Sequence, residues 1–426
     1  MRNRFLIRSS LTDLLALGLA MVGASLYVFR TVLPWNSIQG NLVLPMIAFL
    51  VLSMVVFSLL TAQMSGPGVP RPTYGRMFAI ALGTAATTAT LIVFSRQYFS
   101  RSFLLVTAVG WLVLATAHRV VRRRRPWTER IAIISDEKQL AEDLVGSPHA
   151  EVIWVIDPKF DGPMELPDRD VTLAVDLRAV LSERMAQFLS SCSVAGYNIR
   201  SFSSIYEEHA GRVPLVHLAE GWEISAPLLE VTPWLPGKRA FDTLVAAVLA
   251  PLWLSLGLLV ALYIRVTTRG PALFRQNRVG FEGQPFSMYK FRTMYEDAEK
   301  DGPRFAKHDD LRLFRGGKFL RKSRLDEIPQ LWNVLKGEMS LVGPRAEQVP
   351  FVTAFRQQIP FYEHRHLVRP GVTGWAQVNY GYADDEADTI EKLTYDLYYI
   401  KHMSPMMDIR VLWKSVWTVL TGAGAR

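Results

Sequence analysis

Two adjacent carboxylates, Asp326 and Glu327, lie in a stretch of the chain that is rich in cations. An ionised aspartate can act as a nucleophile toward phosphorus, and a glutamate beside it can hold a hard divalent cation. Nearby positive charge lowers the pKa of a carboxyl group, so we expect both acids to have low pKa values and to be ionised at neutral pH. The alternative is an acidic pair in the first turn of a helix, where the macrodipole favours it. The basic residues of the stretch are Arg321, Lys322, Arg324, Lys336 and Arg345.

A series of ordered motifs surrounds this pair. They are KRAFD at 238–242, GPALFRQNRVG at 270–280, YKFRTM at 289–294, LDEIPQ at 325–330, NVLKGEMSLVGPR at 333–345, RPGVTGWAQ at 369–377 and YDLYYI at 395–400. In these motifs the chain resembles the bacterial sugar transferase family, the polyprenyl-phosphate hexose-1-phosphate transferases. The resemblance extends to the whole chain, because the long members of that family carry an N-terminal helical bundle and an accessory domain.

The resemblance implies a phosphoryl transfer between a soluble donor and a lipid acceptor. Asp326 would attack the sugar-bearing phosphorus of a UDP-sugar and release UMP, and undecaprenyl phosphate would then take the phosphosugar. Glucose and galactose are the expected sugars, in the first step of exopolysaccharide or O-antigen synthesis. Glu327 would help to bind Mg2+, and both acids would be catalytic. The expected substrate- or phosphate-binding residues are Lys290, Arg292, Arg321, Arg345 and Asp396.

Two positions depart from the pattern of that family. Ala346 stands where a second proline usually follows Gly-Pro-Arg, which keeps Arg345 but removes a residue that would stiffen the loop. Ala250 stands where a serine usually precedes the proline of the membrane helix, so a hydroxyl group does not contribute to the bend there.

The bulk composition indicates anionic partners. The 426-residue chain carries a formal charge of +9, which suits phosphorylated substrates, acidic lipid or nucleic acid. No recognisable nucleic-acid-binding motif is present, so we expect no nucleic-acid partner. The single cysteine, Cys192, excludes an internal disulfide and a cysteine-rich zinc site.

The N-terminal part predicts a transmembrane bundle in the bacterial inner membrane. Apolar runs cover about 11–33, 42–62, 77–94 and 103–117, each about as long as a membrane-spanning helix requires. Asp13 lies near the edge of the first run, where we expect it to reach lipid headgroups. The basic run from His118 to Arg125 places this border and the N-terminus in the cytoplasm, by the positive-inside rule. A cleavable signal peptide is not evident.

Residues 126–232 are predicted to form a Rossmann-like α/β accessory domain with a mainly parallel sheet, because β-branched runs alternate with amphipathic segments. A nucleotide-binding version would have a glycine-rich turn after its first strand, but the chain reads Ile134-Ser-Asp-Glu-Lys138. We therefore predict a structural or regulatory role, with a homodimer formed through this domain.

A fifth apolar run covers about 241–264 and is interrupted by Pro251, after a linker marked by Pro233, Pro236 and Gly237. An ordinary kinked spanning helix is one interpretation. It would place the carboxylate pair outside the cell, away from nucleotide-activated sugars. A re-entrant helix broken at Pro251 keeps both ends in the cytoplasm and is the preferred hypothesis.

Two further segments of the catalytic part have a predicted role. The loop Arg369–Gln377 has backbone donors that could approach a diphosphate, and Trp375 either stacks on a base or packs in the core. Residues Met406–Leu420 form an amphipathic helix that lies either on the membrane surface or in the core.

The sequence thus predicts an α+β membrane protein with three parts. These are a four-helix transmembrane bundle at residues 1–125, the accessory domain at 126–232, and a mainly helical catalytic domain at 233–426. Two other functions stay open: a catalytically inactive membrane scaffold of a polysaccharide assembly complex, and a membrane-tethered nucleic-acid binder suggested by positive charge alone.

Overall fold

The chain forms two compact units, Met1–Ala210 and Gly211–Arg426. This computed structural model describes residues 2–34, 40–63, 74–95, 100–124, 128–165, 167–215, 234–268, 270–295, 312–380 and 386–421. The predicted domain boundaries near residues 125 and 232, and Pro233 of the predicted linker, lie outside the described residues.

The N-terminal helices are long and apolar, as the sequence predicts. Their bounds are α1 Arg2–Phe29, α2 Gly40–Gln63, α3 Tyr74–Ser95 and α4 Arg101–Arg124. Together with a later helix at Ala250–Thr268, five described helices are long and apolar enough to cross a membrane. The chain is therefore a membrane protein, and the number of helices that span the bilayer stays a prediction.

Asp13 corrects one expectation about this bundle. Its carboxylate is buried and accepts two hydrogen bonds from Arg119 of α4, at 2.8 and 2.9 Å, instead of reaching the headgroups. The indole of Trp111 donates to the Asp13 carbonyl oxygen at 3.0 Å. A charge on a membrane helix is costly when it faces lipid, so the acid lies inside the bundle with a cation.

The rest of the first unit is an α/β domain with a four-stranded parallel sheet. Its elements are β1 Glu129–Ile134, α5 Lys138–Val145, β2 Ala150–Ile156, β3 Thr172–Val175, α6 Glu183–Val194, β4 Asn198–Ser201 and α7 Phe202–Ala210. The strand order is β2-β1-β3-β4, and every neighbouring pair is parallel. The predicted parallel sheet is confirmed, although the short edge strand β4 was not predicted. The Rossmann-like character of the domain stays a prediction.

The second unit is mainly helical and carries two small β elements. In chain order it contains α8 Trp234–Val248, α9 Ala250–Thr268, β5 Leu273–Val279, β6 Pro285–Phe291, α10 Gly317–Lys322, α11 Gln330–Lys336, β7 Ser340–Val342, α12 Val349–Gln358, β8 Gly371–Thr373, α13 Trp375–Asn379, α14 Glu386–Lys401 and α15 Pro405–Thr421. Strands β5 and β6 form an antiparallel hairpin, whereas β7 and β8 pair in parallel.

The fifth apolar run is two helices that meet at Leu249, directly before Ala250 and Pro251. A proline cannot donate a backbone hydrogen bond, so it favours such a break. The indole of Trp253 donates to the carbonyl oxygen of Ala246 at 2.9 Å, which satisfies an acceptor near the break. The first helix already begins at Trp234. The linker predicted at Pro236 and Gly237 is therefore its first turn, where a proline is tolerated.

Both helices of this pair pack on the same unit. Near the start of α8, Lys238 forms a buried ion pair with Asp408 of α15 at 2.8 Å, and Asp242 accepts a 2.6 Å hydrogen bond from Ser340. Near the end of α9, Ile264 is fully buried in a cluster with Phe291 of β6. The apolar side chains between these anchors are largely exposed: Leu244, Val248, Leu249, Leu252, Leu254, Leu258 and Leu259.

Candidate active site

Asp326 and Glu327 lie in a single 3-10 turn, Leu325–Glu327, between α10 and α11. Arg324 before the turn has a φ of 54°, in the left-handed region that non-glycine residues seldom adopt. Leu325 and Ile328 on either side pack against the apolar cluster of α9 and β6. The turn is thereby fixed between two helices with both carboxylates largely buried, 8% and 7% exposed.

Glu327 is held by cations from three directions. Both terminal nitrogens of Arg345 donate to its Oε1 at 3.1 Å, and Arg324 donates to its Oε2 at 3.3 Å. The Lys290 ammonium lies 4.0 Å from Oε1. Burial would raise the pKa of Glu327, but Arg345, Lys290 and Arg324 outweigh it and lower the pKa to about 2. Glu327 is therefore ionised at neutral pH, as predicted.

Asp326 differs sharply from its neighbour. No hydrogen bond or ion pair within 4 Å reaches its carboxylate from the part of the chain that the structure describes. Burial, followed by the charge of Glu327, raises the pKa of Asp326 to about 6. The expectation of a low pKa was wrong for this residue, because burial and the charge of Glu327 outweigh the cations, and Arg345 and Arg324 contact Glu327 instead. Asp326 is still mostly ionised at pH 7.

Arg345 is itself held in place by a buried network. Arg365 donates to the carbonyl oxygen of Arg345 at 3.0 Å, to the Tyr362 hydroxyl at 2.7 Å and to Asp396 at 2.8 Å. Burial raises the pKa of Asp396 to about 6, although the Arg365 charge lowers it in part. The structure therefore connects Asp396 to Glu327 through Arg365 and Arg345.

Sequence reasoning missed Arg365 and Tyr362. They lie in the short 3-10 helix Tyr362–Leu367, whose sequence has no apolar periodicity to show that it is buried. The available signal was the run of four ionisable residues from Glu363 to His366.

The other predicted cations lie around the strand β6. Lys290 faces Glu327, and burial together with Arg345 lowers the pKa of its ammonium to about 7. Arg292 donates to the Thr268 hydroxyl at the end of α9, at 2.6 Å. Arg321 donates through Nε to the Thr293 hydroxyl at 2.9 Å. Lys290 is therefore at the carboxylate pair, whereas Arg292 and Arg321 contact threonines beside it.

Backbone hydrogen bonds join the predicted diphosphate loop, Arg369–Gln377, to the Gly-Pro-Arg segment that ends at Arg345. The amide of Gly343 donates to Thr373, and the amide of Gly371 donates to Pro344, both at 2.9 Å. These backbone donors hold the loops together, so these two are not available to a diphosphate. At the position of the missing second proline, Arg278 donates to the Ala346 carbonyl oxygen at 2.8 Å. A side chain thus restrains the loop that a proline would stiffen.

Trp375 packs in the core. Its ring is buried and stacks on Tyr398 with centroids 5.9 Å apart, and its indole donates to the Gly211 carbonyl oxygen. Of the two interpretations of this residue, the structure supports packing.

The donor set around the pair suits Mg2+ better than a metal that needs many protein ligands. Among the described residues, no group of three or more His, Cys, Asp or Glu side chains could hold a metal ion. Mg2+ commonly uses one or two carboxylates and completes its shell with water and substrate phosphate oxygens. Asp326 and Glu327 supply two adjacent carboxylates, and no cation among the described residues lies within 4 Å of Asp326.

Comparison with known proteins identifies the family of this chain. Residues 234–422 match the family described as bacterial sugar transferase. The chain is also 36% identical over 385 residues to a UDP-N-acetylgalactosamine-undecaprenyl-phosphate N-acetylgalactosaminephosphotransferase of Aeromonas hydrophila. That alignment covers 89% of this chain and 86% of the relative. The chain belongs to the bacterial sugar transferase family. The resemblance seen in the sequence motifs is thereby confirmed.

Other relatives of this bacterial sugar transferase match over less than half of the chain. A UDP-glucose:undecaprenyl-phosphate glucose-1-phosphate transferase of Klebsiella pneumoniae is 40% identical over 184 residues, which cover 42% of this chain and 39% of that protein. An enzyme of Escherichia coli with the same name is 38% identical over 214 residues, 49% of this chain and 44% of that protein. The sugar transferase is an enzyme of the transferase class, and the residues that match the family model, 234–422, contain the carboxylate pair.

Proposed function

We propose that this sugar transferase moves a sugar 1-phosphate from a UDP-sugar to undecaprenyl phosphate and releases UMP, at the start of exopolysaccharide or O-antigen synthesis. The observation that carries the proposal is the asymmetry of the carboxylate pair. Glu327 is anchored by cations, while Asp326 has no cation within 4 Å among the described residues. Its relatives named above act on UDP-sugars and undecaprenyl phosphate.

The reaction would proceed in two displacements at phosphorus. In the first, a carboxylate oxygen of Asp326 bonds to the sugar-bearing phosphorus, and the phosphoanhydride bond breaks so that UMP leaves with the bridging oxygen. In the second, a phosphate oxygen of undecaprenyl phosphate attacks the same phosphorus and the aspartate is released. Neither step requires an oxidant or a net proton at the carboxylate, so an ionised Asp326 is sufficient.

The surrounding residues have the task of neutralising charge, since an anion must approach an anion. Arg345 and Arg324 hold Glu327 in position, and Lys290 places an ammonium beside the pair. Glu327 would hold Mg2+, which when bound would neutralise the charge of the diphosphate as a Lewis acid. Arg292 and Arg321 are the nearby candidates for phosphate contacts, while Asp396 acts through Arg365.

The membrane arrangement would bring the lipid acceptor to this pair. We propose that α8 and α9 enter and leave one leaflet from the cytoplasm, which is supported by the break at Leu249 and by the anchoring of both helices on one unit. Gly257 of α9 lies beside Ile328, next to the carboxylate turn. The face of α15 that exposes Trp413 and Trp417 adds interfacial contact, while its other face is in the core.

The sugar and the oligomeric state are finer parts of the proposal. Glucose and galactose remain the predicted sugars, and the relative that matches most of the chain is named for N-acetylgalactosamine, so all three belong in a test. A homodimer through the accessory domain is supported by the edge position of β2, on which Trp154 and Val155 are exposed.

The decisive experiment is intact-protein mass spectrometry after mixing the purified protein with Mg2+ and each UDP-sugar in the absence of lipid acceptor. We expect one added sugar phosphate per chain and an equal amount of UMP. Asp326→Asn should abolish both, whereas Asp161→Asn, an exposed acid in the first unit, should not. UMP release that persists in Asp326→Asn would exclude the covalent step. No turnover with any UDP-sugar and undecaprenyl phosphate would favour the inactive scaffold.

The topology needs a separate test. Cys192 is the only cysteine, so a Cys192→Ala background permits single-cysteine labelling in intact cells. Ser287→Cys, in β6, should be labelled only after the inner membrane is opened. Labelling from outside would place the catalytic unit on the wrong side of the membrane for a cytoplasmic donor.

A further inference from the structure

A cavity of about 750 Å³ lies in the second unit, on the other side of β6 from the carboxylate pair. Tyr289 and Ser287 line it, while Lys290 faces Glu327. Successive side chains of a strand point to opposite faces, so the cavity and the carboxylate pair are separated by the strand. Its volume is within the range of small-molecule sites.

Three cations line this cavity, and each lies over an aromatic ring. The guanidinium of Arg275 lies 5.6 Å and the ammonium of Lys336 5.2 Å from the centre of the Tyr289 ring. Arg369 lies 5.3 Å from the centre of the Phe281 ring. Stacking orders a long side chain and leaves the in-plane N–H groups of a guanidinium able to bind a planar or tetrahedral anion.

Most of the hydrogen-bonding capacity of these two arginines is unused by the residues that the structure describes. Within the described ranges, Arg275 makes no hydrogen bond, and Arg369 donates only through Nε, to Gly337 at 2.9 Å. An arginine has five N–H donors, so the two side chains retain a surplus that a phosphate could accept.

The acidic side chains do not cancel this surplus. Glu338 accepts a 2.6 Å hydrogen bond from Asn333 and lies 3.8 Å from Lys336. Glu282 is the other acid of the lining, so three cations face two carboxylates, one of which is already engaged. The balance favours an anionic ligand.

The wall of the cavity also adjoins the start of the apolar helix pair. Arg239 of α8 donates to the carbonyl oxygens of Val334 and Leu335, and it lies against Gly337 in the lining. A phosphate there could therefore belong to a soluble compound or to the headgroup of a membrane lipid.

We propose that this cavity binds a phosphate or diphosphate group, at a site separate from Asp326 and Glu327. Arg275 and Arg369 supply the hydrogen bonds, and Lys336 adds a third charge. The proposal does not depend on the transfer reaction, because it concerns residues on the other side of β6.

Titration calorimetry of the full-length protein in detergent with inorganic pyrophosphate tests the site. We expect two binding phases, one weakened by Arg345→Gln and the other by Arg275→Gln or Arg369→Gln. Loss of one charge-assisted hydrogen bond should weaken that phase about tenfold or more. Glu282→Gln removes a negative charge from the wall and should strengthen the same phase.

A second arm identifies the source of the phosphate. The protein is placed in phosphatidylcholine nanodiscs with or without phosphatidylglycerol, and native mass spectrometry counts the retained anionic lipid. A headgroup site is indicated by two results together: Arg369→Gln retains fewer anionic lipids, and phosphatidylglycerol abolishes the pyrophosphate phase of the wild-type protein. A pyrophosphate phase that phosphatidylglycerol leaves unchanged indicates a soluble ligand.

The proposal is overturned if Arg275→Gln and Arg369→Gln change neither the pyrophosphate isotherm nor lipid retention. It is also overturned if Arg345→Gln alone removes all pyrophosphate binding. Two controls separate loss of binding from loss of folding. Arg369→Lys keeps the positive charge, and thermal unfolding of each variant reports whether it is folded.

Discussion

Replacing Arg345 with lysine tests whether the pair of hydrogen bonds from Arg345 to Glu327, here called the clamp, matters for catalysis. Arg345 uses two nitrogens, both 3.1 Å from the same oxygen of Glu327. A lysine keeps the positive charge but has a single nitrogen on a flexible four-carbon stem, so it can replace at most one of these two contacts. The expected loss is one hydrogen bond between charged groups.

A hydrogen bond to a charged group is worth roughly 1.5–3 kcal/mol. If this energy is needed in the transition state, the rate of UMP release falls roughly 10- to 150-fold, since each 1.36 kcal/mol is a factor of ten. Arg345 is about 29% exposed, and the network below it is unchanged, so the free energy of unfolding should change far less than after loss of a buried pair.

The assay is the initial rate of UMP release at saturating Mg2+ with a fixed, low concentration of UDP-sugar. The matched control is Arg324→Lys, because Arg324 makes one contact, at 3.3 Å, with the other oxygen of Glu327. This control should lose less than tenfold. The reasoning is refuted if Arg345→Lys keeps the wild-type rate, or if Arg324→Lys is the more damaging change while both variants remain folded.

Three further outcomes follow from the same structure. The rate of UMP release should rise about tenfold per pH unit up to about pH 6, because Asp326 must lose its proton, and should fall above about pH 7 as Lys290 loses its charge. Lys290→Met should remove the alkaline limb and move the acid limb to higher pH, because the Lys290 charge lowers the pKa of Asp326. A rate independent of pH from 5 to 8 contradicts this. Asp396→Asn leaves the buried charge of Arg365 unpaired and should lower the free energy of unfolding by about 3–5 kcal/mol. Urea unfolding followed by tryptophan fluorescence measures this free energy. An unchanged value would contradict a stabilising role for the Arg365 network. Asp13→Asn should lower the melting temperature of the protein in detergent, because it leaves the buried charge of Arg119 unpaired. Adding Arg119→Gln should restore part of the loss, because the second change removes that charge. Equal melting temperatures for the wild type, the single variant and the double variant would show that this ion pair is not stabilising.

The elements predicted with success are those with a strong local pattern. The N-terminal helices follow from long apolar runs, and β1, β2 and β3 follow from β-branched segments such as Arg130–Ile134. The break before Pro251 follows from the chemistry of a single residue. In each case the residues that determine the element are close together in the sequence, so the element can be predicted without knowledge of tertiary contacts.

The predictions that were wrong depend on distant contacts. Asp13 is buried because Arg119, more than 100 positions later, lies opposite it in the bundle. The raised pKa of Asp326 depends on burial and on how far each cation reaches, which the local composition does not reveal. The edge strand β4 has four residues with little apolar character, and its pairing with β3 determines its conformation.

The two acids of the pair are adjacent in the chain, yet their surroundings give them different chemistry. Arg345, Arg324 and Lys290 all lie around Glu327, so this carboxylate is fixed, strongly ionised and a weak nucleophile. No described cation lies within 4 Å of the Asp326 carboxylate, so one of its oxygens can form a bond to phosphorus. A raised pKa also makes it the more basic, and hence the more nucleophilic, of the two. Exchanging the two acids, as Asp326→Glu with Glu327→Asp, keeps the composition and the net charge, and should abolish UMP release because the clamp would then act on the shorter side chain.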